Sequence, residues 1–104
     1  MSYFIYQLRL APLYRNESNW TEHTREIISA HFNYLKENCD KGQVLLAGRT
    51  ALSIEEVNNY GICIFKSESA HEAKKFMDND SAVINGVMLA CLFPFSMALL
   101  NTKD

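Results

Sequence analysis

The sequence predicts an α+β domain: a four-stranded antiparallel sheet with two helices on one face. Three observations carry this. Strand-length segments rich in aromatic and aliphatic residues occur four times. Two stretches repeat apolar residues at helical spacing behind capping signals. The six segments run in the order β-α-β-β-α-β. The length of 104 residues fits one domain, read as residues 1–95 with a tail at 96–104. A hydrophobic content of 48% supports a core, and 21% charged residues exclude a disordered chain.

Residues 3–10, Tyr-Phe-Ile-Tyr-Gln-Leu-Arg-Leu, form the first strand, and Pro12 ends it. Residues 13–20 read as a loop. Thr21 or Asn19 caps a helix that runs to about Asp40, with Ile27, Ile28, Phe32, Leu35 and Cys39 as its apolar stripe and Gly42 closing it. Residues 43–48 make the second strand and 60–66 the third, joined by a polar connection. Ser69 with Glu72 reads as a capping box for a second helix over 69–79, with Ala70, Ala73, Phe76 and Met77 as its stripe. A Ser81–Asn85 turn leads to a fourth strand at 86–93. This order is the ferredoxin-like arrangement.

Two helices cover only one face of such a sheet. The fourth strand nevertheless alternates Val87, Leu89, Cys91 and Phe93 on one face with Met88, Ala90 and Leu92 on the other, so both faces are apolar. A second copy of the sheet is the natural cover for the open face, which predicts a homodimer.

Ten Lys and Arg against twelve Asp and Glu give a net charge of −2. Proteins that neutralise many phosphates carry a basic excess, so the charge argues against nucleic acid as a partner. Cys39, Cys63 and Cys91 form no CxxC pair and suit reduced thiols in a cytoplasm. In the expected strand order the first strand separates the third from the fourth. Cys63 and Cys91 then lie about 9.6 Å apart, beyond the ~7 Å limit for a bridge. The N-terminus has no signal-peptide pattern. The uncharged run from Ser81 to Leu100 is long enough to span a bilayer, but Gly86 and Pro94 divide it, which favours a buried strand over a membrane segment.

Among the residues that carry chemistry, His31 lies four after Ile27 and four before Leu35, on the inward stripe of the first helix. It is either a hydrogen-bonded core histidine or a pocket base, and imidazole chemistry near neutral pH suits the latter. Asp80 follows the second helix in a polar Asp-Asn-Asp turn. Taken alone it reads as an exposed carboxylate near a helix C-terminus, a mildly unfavourable place; Asp78 is its rival. His23 and His71 read as solvent-facing, and His23 and His31 are too far apart in sequence for an i,i+4 metal pair, so no metal site is expected. Arg49 could hold an anionic substrate at the end of the second strand, or be a surface charge. Trp20, Tyr14 and Tyr34 could wall a pocket or pack over a core edge. Phosphate-binding loops and hydrolase elbows are absent from the sequence.

Four stretches together resemble the YCII-related (YciI-like) family: Tyr3–Leu10; His31-Phe-Asn-Tyr-Leu35 with Gly42-Gln-Val-Leu-Leu-Ala-Gly48; Ser67–Ala73 leading to Asp78-Asn-Asp80; and Asn85-Gly86-Val87 with Phe93-Pro94-Phe95. The resemblance implies a dimeric α+β barrel and a His and an Asp lining a cleft, which by position are His31 and Asp80. Arg49 and Ser81 stand where the family usually has proline. The function so implied is a small cytoplasmic enzyme in which His31, oriented by Asp80, performs general acid/base chemistry on a small organic molecule. Elimination or isomerisation without a cofactor fits best. The alternative is a non-catalytic ligand-binding or accessory protein. Cofactorless oxygenation is a third reading, by fold analogy alone.

Overall fold

The computed structural model describes residues 1–101. Its elements are β1 (Ser2–Leu10), α1 (Glu22–Asp40), β2 (Val44–Arg49), β3 (Gly61–Ser67), α2 (Ala70–Asp78), α3 (Ser81–Ile84) and β4 (Met88–Pro94). Two 3-10 turns, Pro12–Arg15 and Glu17–Asn19, occupy the segment expected as loop. The last three residues of the expected tail lie outside the described residues.

The sheet has the order β2-β3-β1-β4, antiparallel throughout, as the β-α-β-β-α-β reading requires. Tyr6 pairs with Cys63 on one side and Leu92 on the other, and Ile5 pairs with Ile64 and Phe93. Period-two alternation sends Phe4, Tyr6 and Leu8 of β1 to the helical side. There they join Val44, Cys63 and Phe65 from the sheet and Leu35, Ala73, Phe76 and Met77 from the helices in the main core. A smaller cluster of Ile27, Ala82 and Val87 seals the end where α3 sits.

The helices begin where their caps direct. Thr21 Oγ1 accepts the Thr24 N–H and Thr24 Oγ1 accepts the Thr21 N–H, a reciprocal box that fixes the first turn of α1. Ser69 accepts the Glu72 N–H in the same way at α2, whereas the Glu72 carboxylate turns to Lys75 at 3.7 Å. Gly42, at φ +88°, closes α1 in the left-handed region that glycine enters without strain.

Three sequence expectations are corrected. Phe32 is 63% exposed and Cys39 is exposed. The inward stripe of α1 is instead set by Thr24, Ile27, His31 and Leu35, and Phe32 lies one position, about 100°, off it. Val87 is fully buried and precedes β4 rather than sharing a face with Leu89, because Gly86 (φ +69°) redirects the chain just before pairing begins. The expected turn at Ser81–Asn85 contains α3.

The register places Leu46, Ile5, Ile62, Ile64, Leu89, Cys91 and Phe93 on the face opposite the helices. Arg9 reaches from that face to the β2–β3 connection, donating to the Val57 carbonyl at 3.2 Å and lying over the Tyr60 ring. The cysteines are free, and Cys63 and Cys91 sit on strands separated by β1, as expected. Among the described residues no helix is long and apolar enough to cross a membrane.

Candidate active site

α1 and α3 pack against each other on the helical side of the sheet. This brings His31 and Asp80 together across 49 residues of sequence. His31 Nδ1 lies 2.7 Å from Asp80 Oδ1 and 2.8 Å from Oδ2. The Asp80 side chain is fully buried and that of His31 is 13% exposed.

Two further groups hold the carboxylate. Asp80 is the N-cap of α3, and its Oδ1 accepts the Ala82 N–H at 3.0 Å. From the sheet below, Tyr6, also fully buried, donates its hydroxyl to Oδ2 at 2.9 Å. Asp80 lies just past the end of α2, its N–H donating to the Met77 carbonyl, and also begins α3, whose first N–H groups favour a negative charge. The expectation of an exposed carboxylate is corrected accordingly, while its place after the second helix holds. Its rival Asp78 is a surface residue paired with Lys74.

The surroundings are nearly dry and their protons are held tightly. Burial, followed by the charges of Cys63 and Asp80, pushes the Tyr6 phenol far above its ordinary range. Burial first, and then Asp80, raises Tyr34 to about 12. Burial pushes the Cys63 thiol up to about 12, with the hydrogen bond to Tyr6 acting in the opposite sense. Tyr34 donates to the Phe76 carbonyl at 2.8 Å and stacks on the Phe76 ring, forming a wall one turn from His31. Among the described residues no buried side-chain polar atom lacks a partner. Since the His31 bonds all use Nδ1, its Nε2 opens toward solvent.

Of the residues singled out from sequence, the fold unites His31 and Asp80 and leaves Arg49 apart. Arg49 is exposed at the end of edge strand β2, beside a hollow of about 310 Å³ that it lines with Leu46, Gly48, Thr50, Tyr60 and Ile62. It makes no hydrogen bond or ion pair with His31 or Asp80 among the described residues. A larger hollow of about 620 Å³ lies between the end of α1 and the start of α2 and includes Tyr34 and Phe76, but neither His31 nor Asp80. His23 and His71 are exposed, and no cluster of metal-ligating side chains occurs among the described residues. Sequence reasoning did not single out Tyr6. Its signal was available: an inward-facing tyrosine on a central strand needs a partner for its hydroxyl.

The arrangement, a buried carboxylate on one imidazole nitrogen with the other nitrogen open, can accept a proton and give it back. In structure the chain is similar to 5-chloro-2-hydroxyhydroquinone dehydrochlorinase (TftG) from Burkholderia phenoliruptrix AC1100, solved in complex with 2,5-dihydroxybenzoquinone. The TM-score is 0.67 at 17% identity, over 92% of this chain and 95% of that one, a likeness of fold. No curated protein matches the sequence. The YCII-related domain matches residues 8–95, a span that holds both His31 and Asp80, and the chain belongs to the YCII-related family.

Proposed function

We propose that the protein is a small enzyme in which His31 is the general acid/base and Asp80 orients it, acting on a small organic molecule without a cofactor. The observation that carries the reading is the 2.7 Å contact between His31 Nδ1 and a fully buried carboxylate, with Nε2 open. Nε2 takes a proton from the substrate, and the imidazolium so formed lies against the Asp80 charge, which stabilises it. The same proton then passes to a leaving group or to another substrate atom, completing an elimination or an isomerisation. The solved neighbour is a dehydrochlorinase bound to a dihydroxybenzoquinone, so small phenols and quinones are the first compounds to screen.

The working form is a homodimer with the open sheet faces packed together. The exposed Leu46, Leu89 and Phe93 on that face support this. Three free cysteines fit a reducing cytoplasm.

With any substrate found, His31→Ala lowers turnover by about 10²–10⁴-fold while the protein stays folded. Asp80→Asn lowers turnover by less. Full turnover in His31→Ala rejects the proposal. Binding of a compound beside His31 that leaves it chemically unchanged from acid to alkaline pH favours the ligand-binding alternative.

A further inference from the structure

We infer that Tyr6 is a positioning residue of the dyad: by donating to Asp80 it holds the shared proton on His31 Nδ1 and keeps Nε2 bare to act as a base. This deepens the reading of His31 as the base and rests on it.

The donors around one carboxylate decide where the proton sits. Oδ1 accepts the Ala82 N–H, which can only donate. Oδ2 accepts the Tyr6 hydroxyl, which keeps its proton because burial disfavours the phenolate. With donors on both oxygens the carboxylate acts as an acceptor throughout, so the nitrogen that meets it must be the N–H of the ring. The other titratable groups that sense Asp80, Cys63 on β3 and Tyr34 on α1, both stay neutral at ordinary pH and bring no competing charge. Tyr6 is itself fixed by the Phe65 and Phe76 rings, whose centroids lie 5.7 and 6.3 Å from its own. Its hydroxyl is therefore aimed from within a packed aromatic cluster of the core.

Replacing the hydroxyl by hydrogen leaves Oδ2 buried against a ring edge with only the His31 N–H, which it shares with Oδ1, as donor. The poorly compensated charge then draws a second proton onto the dyad, whether it settles on Asp80 or on the ring. Either outcome places hydrogen on Nε2 and removes the base.

Nitrogen NMR of histidine-labelled, ligand-free protein tests this without a substrate. The wild type at mildly alkaline pH should show a protonated Nδ1 and a bare Nε2. In Tyr6→Phe, which keeps the ring packing, the ratio of protonated to bare Nε2 at a fixed pH should rise about tenfold. Tyr34→Phe, whose hydroxyl serves the Phe76 carbonyl and not Asp80, should leave the ratio unchanged. An unaltered ratio in folded Tyr6→Phe overturns the inference, and so does a wild-type resonance with the neutral proton on Nε2, even if Tyr6→Phe does not fold. Neither result depends on turnover, so the catalytic role of His31 stands or falls separately.

Discussion

Tyr6, Tyr34 and Cys63 hold their protons more firmly in the folded chain than outside it, and for each of them burial is the main cause. A group whose proton affinity rises on folding adds stability while both states are protonated. That contribution shrinks once the unfolded state alone begins to lose protons. The ordinary values are 9.0 for the thiol and 10.0 for the phenols. Stability should therefore be full below about pH 9 and fall steadily as the pH climbs from there toward 12. Urea unfolding at a series of pH values from 8 to 11 checks this, and Tyr6→Phe should flatten the decline; a wild-type midpoint constant over that range contradicts it. At this scale the sequence was only partly readable. His31 could be placed on the inward stripe because Ile27 and Leu35 bracket it at helical spacing. Burial of Asp80 could not be read from its neighbours, since Asp-Asn-Asp is the composition of an exposed turn. Its partners include a strand tyrosine 74 residues earlier and a helix histidine 49 earlier, and local composition carries no trace of such contacts.

Among the elements, α1 carries His31, and its start is fixed by the reciprocal Thr21–Thr24 bonds. Thr21→Ala should cost about 1 kcal/mol, lowering the thermal midpoint by about 5 °C for a domain of this size. His31 is ten positions further along, so the dyad's NMR signature should survive; a thermal midpoint equal to wild type shows that the cap is not holding the helix. Strand order and the two longer helices could be derived because each spans enough residues for its period to register. α3 could not, since four residues make a single turn and leave no periodicity to detect. Missing that turn hid the second helix end that meets Asp80 and favours its charge. The expected start of β4 at residue 86 falls too early for a related reason: Val87 is as apolar as a strand residue, but it packs under α3, with its N–H donating to the Ala82 carbonyl.

For the whole molecule, the sheet presents one face to the helices and leaves Leu89 and Phe93 more than half exposed on the other. Lone exposed apolar residues are ordinary, but with Leu46 on β2, also more than half exposed, these form an apolar row along both edges of one face, which is not. The proposed dimer buries that row, and obligate pairings of this kind commonly hide over ~2,000 Å² in total. Light scattering should give twice the 11.9 kDa of one chain, and Phe93→Glu should return the protein to single chains; a wild-type monomer at micromolar concentration rules the pairing out. The two-sided apolar pattern of the strands was legible in the sequence, because alternation assigns residues to faces directly. The position of the hollows was not, since they arise where several connections meet. The central place of β1 also has a temporal meaning. Among the described residues its strand neighbours are β3, which begins at Gly61, and β4. While the chain is being synthesised, Tyr6 and His31 emerge well before the carboxylate that will join them, and the first strand waits with both edges bare. A fragment ending before residue 80 lacks Asp80 and exposes an edge open to pairing with other chains. The His31–Asp80 contact closes across 49 residues and the β1–β4 pairing across 78 to 90; pairings of such range are slow to close, and in refolding the return of β4 to the sheet should mark the final step.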